Sequence, residues 1–198
     1  MGSSKINLHG DQITTHVLDS AEAVDKHIAD LRRYLECNAK VIGLDIKTKL
    51  KPNGGSHIIK QHILVLCVFR RCLIIHLDYI TKAGIAPQSL HTFLNDPKIC
   101  FVGATTLPDM KNWVQNFSNL EVGVKVGDLA AIVLRKPALT ELSLGDLAKE
   151  FVVAYQGETA EIVVNENNRT VLTEEQIRSA LNDAYAYYQI GYKLLTSL

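Results

Sequence analysis

The stretch Val41–Lys51, VIGLDIKTKLK, constrains this chain more than any other. Val41, Ile42 and Leu44 read as a buried strand, and that strand delivers one acid, Asp45. Side chains alternate between the two faces of a strand, so Asp45, Lys47, Lys49 and Lys51 share a face as far as the strand extends. An acid at the end of a buried strand, with a second charged residue two places on, is a common way of holding a divalent metal. Here the second residue is a lysine, and the functional question turns on it.

A length of 198 residues suits one domain with a sizeable core. We read 1–198 as that single domain, with residues 1–11 as a loose N-terminal end. With 47% hydrophobic and 21% charged residues the chain falls in the soluble globular class. Lys plus Arg and Asp plus Glu balance at 21 each, so any nucleic-acid contact must come from a local patch and not from a basic chain. Cys37, Cys67, Cys72 and Cys100 show no CxxC spacing, and three of them sit in apolar runs. They read as reduced core residues of an intracellular protein. No apolar run is long enough to cross a membrane, and MGSSKINLHG lacks the apolar segment of a secretory signal. The expected location is cytoplasm, nucleus or both, with no membrane partner.

Along the chain, Ile13–Leu18 reads as a short strand and Ala21–Glu36 as a helix, capped by Asp19 or Ser20 and striped by Val24, Ile28, Leu31 and Leu35. Val41–Leu50, His62–Phe69 and Cys72–Leu77 are three strands too closely spaced for helical crossovers, which predicts an antiparallel meander. The pattern then alternates: helix Pro87–Asn95, strand Ile99–Val102, helix Leu107–Phe117, a strand over 122–126, helices Asp128–Leu134 and Leu142–Val153, and a hairpin or insertion at Thr159–Val164. The last helix spans Thr173 to Leu195, with a capping-box start. A meander followed by alternating helices and strands predicts an α/β fold of ribonuclease-H-like architecture. Its mixed sheet combines a three-strand antiparallel meander with parallel strands and carries helices on both faces.

Three acids stand out by position: Asp45 at the end of the first core strand, Asp109 in the first turn of the following helix, and Asp183 in the middle of the last helix. Three converging carboxylates suit one or two hard divalent cations that activate a water for phosphodiester hydrolysis. Taken singly, Asp109 is equally an acid favoured at a helix N-terminus, and Asp183 equally an exposed acid. Asp45 resists such a reading, because an acid seldom ends an apolar strand for packing reasons.

The stretches VIGLDIK (41–47), FLNDPKICFVGATTLPDMKNW (93–113), VGDLAAIVL (126–134), LSLGDLAKEF (142–151) and LTEEQIRSALNDAYAYYQIGYKLL (172–195) follow in the order found in one family. Over about residues 40–195 the chain resembles the DnaQ-like 3'-5' exonucleases, in the branch of ribonuclease D and the Werner-syndrome helicase exonuclease domain. The resemblance implies a metal-dependent nuclease of this fold, using Mg²⁺ or Mn²⁺ and acting on single-stranded RNA or DNA. It places Asp45, Asp109 and Asp183 at three metal-binding, catalytic positions. The family's first-motif Glu falls on Lys47, and its third-motif Tyr, which orients the attacking water, falls on Ser179.

Two unit charges about 4 Å apart interact by roughly 4 kcal/mol at an effective dielectric of 20, so exchanging Glu for Lys costs metal affinity on the order of a thousandfold or more. Three readings are open: one weakly held metal, Lys47 as a fixed cation in place of one metal and paired to Asp45 or Asp183, and a structural Lys47 ion pair with no metal. Tyr187, one turn after Asp183, is a substitute hydroxyl or a packing residue. Lys49, Lys51, Arg70 and Arg71 are candidates for phosphate contact, or a solubilising face. Two functions follow: an exonuclease weakened at Lys47 and Ser179, or a catalytically inactive scaffold or nucleic-acid-binding module on the same fold. Some small stand-alone plant members of the family form hexameric rings, which implies a homo-oligomer here.

Overall fold

The computed structural model describes residues 3–36, 38–52, 58–81, 86–104, 123–157 and 172–196, with backbone alone at 48–52 and 58–61. Seven strands form one mixed sheet: β1 (Ser3–Leu8), β2 (Asp11–Leu18), β3 (Val41–Pro52), β4 (Ile58–Val68), β5 (Arg71–His76), β6 (Cys100–Gly103) and β7 (Val124–Lys125). Their order across the sheet is β1-β2-β5-β4-β3-β6-β7. The expected meander is there, because β3–β4 and β4–β5 are antiparallel. The β2–β5, β3–β6 and β6–β7 pairs are parallel.

The helices are α1 (Ala21–Glu36), α2 (Leu77–Ile80), α3 (Gln88–Leu94), α4 (Val126–Leu134), α5 (Leu144–Glu150) and α6 (Glu174–Thr196), with a 3-10 turn at Pro137–Glu141. α1 occupies the predicted residues, and the Ser20 hydroxyl accepts from the Ala23 amide at 3.4 Å. α6 begins with the predicted capping box: Thr173 N–H donates to Gln176 Oε1 at 3.0 Å, and Gln176 N–H to Thr173 Oγ1 at 3.2 Å. The expected helix at 107–117 and the hairpin or insertion at 159–164 lie outside the described residues.

Alternation along β3 divides the core. Ile42 and Leu44 face a cluster with Val24, Ile28, Leu90, Phe93 and Phe101, so α1 and α3 cover that side. Val41 faces the other way, with Val102, Leu129, Leu147, Ala186 and Ile190, under α4, α5 and α6. α6 lies unusually close to the sheet. A Cβ on Gly43 would stand 1.8 Å from the Ala184 carbonyl oxygen, and one on Gly191 would stand 2.8 Å from Val102. Glycine at these two positions lets the helix backbone settle onto β3 and β6.

Three expectations need correction. Residues 3–11 of the expected loose end are not loose: Ser3–Leu8 pairs with β2 and buries Ile6 and Leu8. The helix expected over 142–153 is shorter, because Val152 adopts φ 52°. Val153 N–H then reaches the Ala148 carbonyl at 2.7 Å and Val152 N–H the Lys149 carbonyl at 3.1 Å, a Schellman stop built without glycine. Finally, Cys67 and Cys72 are not reduced core residues. They are cross-strand neighbours on β4 and β5, their Cα atoms are 4.3 Å apart, and they form a disulfide. Cys100 is a free thiol.

Candidate active site

β3 and α6 build the site together. Asp45 and Lys47 leave the face of β3 that α6 covers, and the close approach at Gly43 brings Asp183 down upon them. Asp45 is 9% and Asp183 8% exposed, so Asp183 is a buried acid rather than a surface one. The Lys47 ammonium lies between them, 2.5 Å from Asp183 Oδ2 and 3.1 Å from Asp45 Oδ2. The first contact is a hydrogen bond. The second is an ion pair to a buried carboxylate oxygen. Burial pushes the Asp45 carboxyl above the ordinary carboxylate range. Lys47 pulls it down, and the neighbouring Asp183 charge pushes it up again.

The other oxygen of Asp183 is also engaged. Tyr155 donates its phenol to Asp183 Oδ1 at 2.9 Å. Tyr155 carried no signal in the sequence; the early stop of α5 turns the chain so that it reaches α6. Tyr187 is buried beside the same cluster. Burial first, then the charges of Asp45 and Asp183, raise its phenol well above the ordinary tyrosine value. Ser179 is buried and lines a polar cavity of about 270 Å³ with Asn7, His9, Gln156, Arg178 and Asn182. Asn182 ties this region together: its Oδ1 pairs with His9 Nε2 at 2.9 Å and its amide nitrogen donates to the Gln156 carbonyl.

The structure thus brings Asp45, Lys47, Asp183 and Tyr187 together, with Tyr155 added. Asp109 lies outside the described residues, as do the side chains of Lys49 and Lys51. Arg70 lies in the β4–β5 turn and Arg71 opens β5, opposite the start of β3, whereas Lys49 and Lys51 pair with the far end of β4. About eight residues of strand, roughly 26 Å, separate the two basic groups, so they do not form one patch.

The chain belongs to the 3'-5' exonuclease family. The family model matches residues 23–198. Solved structures agree on the fold. RNase D of Escherichia coli, described as an exoribonuclease involved in structured RNA processing, is 17% identical with a TM-score of 0.59, covering 92% of this chain and 44% of that one. The Nibbler EXO domain of Aedes aegypti is 15% identical with a TM-score of 0.62, covering 98% and 94%. RNase D of Trypanosoma brucei in complex with RNA U12 is 12% identical with a TM-score of 0.58, covering 91% and 62%. This chain therefore spans less than half the length of the Escherichia coli enzyme. No protein among curated sequences is significantly similar to it.

The described residues do not fit a divalent ion. A metal needs carboxylate oxygens facing an open position. Asp183 instead gives one oxygen to an ammonium and the other to a phenol, and Asp45 shares that ammonium. Among the described residues no group of three or more His, Cys, Asp or Glu side chains is arranged to hold a metal. No helix among them is long and apolar enough to cross a membrane.

Proposed function

We propose that this exonuclease-family domain binds single-stranded RNA or DNA without hydrolysing it. The observation that carries the reading is Lys47, whose ammonium already bridges the two aspartates. Lys47 fixes the β3–α6 junction with a cation supplied by the chain itself, and Tyr155 and Asp45 complete a network that needs no added ion. Ser179 is too short to align a water as a tyrosine at its position would. The RNA held by the trypanosomal relative supports nucleic acid as the ligand class.

The test is a matched pair. The wild-type chain and its Lys47→Glu/Ser179→Tyr variant are incubated with labelled single strands in Mg²⁺ and in Mn²⁺, and binding is measured separately in EDTA. The expected result is oligonucleotide binding by both proteins without metal, and nucleotide release by the variant alone. Metal-dependent nucleotide release by the wild-type chain, abolished by Asp183→Asn, overturns the proposal.

A further inference from the structure

The β4–β5 turn breaks two local rules at once. It is a two-residue connection between Val68 and Arg71, and its first residue, Phe69, adopts φ 50°. That conformation favours glycine or asparagine, and a bulky side chain there is strained. Phe69 is also 49% exposed, so its ring regains little by burial. Strain held at an exposed aromatic has no folding rationale, and such residues cluster at binding sites.

The surroundings supply the rest. Tyr34 at the end of α1 lies nearly parallel to Phe69, at 15° with ring centres 6.3 Å apart. Arg70 stands over the Phe69 ring at 5.5 Å and Arg71 over the Tyr34 ring at 5.4 Å. Tyr188 and Tyr192 extend the row along α6, with ring centres 5.8 Å apart, and Tyr192 is 41% exposed. Asp11 meets this surface, paired to Arg70 at 3.2 Å. From Asp183 to Tyr192 is two and a half helical turns, about 13 Å along α6 and on its opposite flank, so this surface is distinct from the aspartate site.

We propose that the Phe69 turn is a docking surface for single-stranded nucleic acid, apart from the aspartate site. Bases stack on the exposed rings of Phe69 and Tyr192, once Arg70 and Arg71 swing off the Phe69 and Tyr34 rings they cover to meet the phosphates. Flat ring faces accept any base, and the two arginines favour a polyanion over a neutral partner. The inference rests on the nucleic-acid-binding reading above and locates its anchor.

The test uses fluorescence anisotropy of end-labelled U12 and dT12 in EDTA, over a salt series. Phe69→Gly removes the ring and relieves the backbone, so it should fold at least as stably as wild type yet bind at least tenfold more weakly. Arg70→Gln/Arg71→Gln should flatten the dependence of log affinity on log salt by about one to one and a half. If the wild-type chain binds and both variants bind equally well, the surface is wrong and the broader reading stands. If the wild-type chain binds neither oligonucleotide, both fall. Loss of self-association in the variants with unchanged oligonucleotide affinity also overturns the inference, assigning the patch to a second copy of the chain.

Discussion

Lys47 lies closer to Asp183, on a helix 136 residues further along the chain, than to Asp45 on its own strand: 2.5 Å against 3.1 Å. The ammonium is therefore a tertiary clasp between β3 and α6, not a local strand pair. Removing it as Lys47→Met leaves two buried carboxylates facing each other. Breaking a buried ion pair from one side costs about 3–5 kcal/mol. At roughly 2–4 °C per kcal/mol for a chain of this size, the melting temperature should fall by about 10 °C. Mn²⁺ should restore part of that loss in the variant and leave wild type unmoved. A thermal melt of both proteins with and without Mn²⁺ checks it; equal metal shifts would contradict the fit argued above.

Asp45 gives a pH prediction with a definite sign. Its folded pKa is raised by burial above the unfolded value, so the folded state holds the proton more tightly. The associated stability is fully present below the unfolded pKa and is lost as pH rises from about 4 through the folded pKa. Asp45→Asn removes this titration while Lys47 keeps Asp183. The stability of wild type relative to Asp45→Asn should therefore decline from pH 4 upward and then level off. Urea unfolding of both proteins across that range tests the slope.

Two tyrosines near Asp183 should behave differently. Tyr155 donates to Asp183 Oδ1, and a hydrogen bond to a charged group contributes about 1.5–3 kcal/mol. Tyr155→Phe should cost that much by denaturant unfolding. Tyr187 acts chiefly by packing from α6 into the core cluster that also holds Ala186 and Ile190. Tyr187→Phe should lie within about 1 kcal/mol of wild type by denaturant unfolding, because the ring is kept.

The Cys67–Cys72 disulfide closes a hairpin loop with a sequence separation of 5. So short a loop limits the unfolded chain modestly, by about 2 kcal/mol. Alkylation of the denatured, unreduced protein should leave both sulfurs unmodified, and reduction should lower the melting temperature by about 4–8 °C. Four alkylated cysteines without reductant would contradict the bridge.

Much of this was readable in the chain. The buried run before Asp45, the stripe of α1 and the Thr173–Gln176 box each rest on local chemistry, and the elements formed where that chemistry put them. β1 was also locally encoded: Ile6 and Leu8 alternate toward the core, and His9–Gly10 makes the tight turn at φ 52° and 93°. What favoured a loose end was the polar start of the chain, which outweighed a two-residue apolar alternation. The Tyr155 bond and the disulfide were of another kind. Each joins elements through tertiary approach, and periodicity says nothing of which side chains meet there. The stop at Val152 was hidden because a β-branched residue took the place where glycine normally signals a helix end.

The last prediction concerns the approach on which the site depends. At Gly43 an added methyl group meets backbone atoms, the Ala184 carbonyl at 1.8 Å and the Tyr188 nitrogen at 2.6 Å, and neither can rotate away. Gly43→Ala must push α6 off β3, lengthening the Lys47–Asp183 bridge and opening the packing of Ala184 and Tyr188. Overpacking alone costs about 1–3 kcal/mol, and the weakened ion pair adds to it, so a loss of at least 3 kcal/mol is expected. Gly10→Ala is the control: nothing lies within 4 Å of its added methyl, and only the backbone at φ 93° resists. That change should cost about 1 kcal/mol. If the two variants unfold at the same urea concentration, the helix is not seated on Gly43, and the clasp between β3 and α6 loses its structural basis.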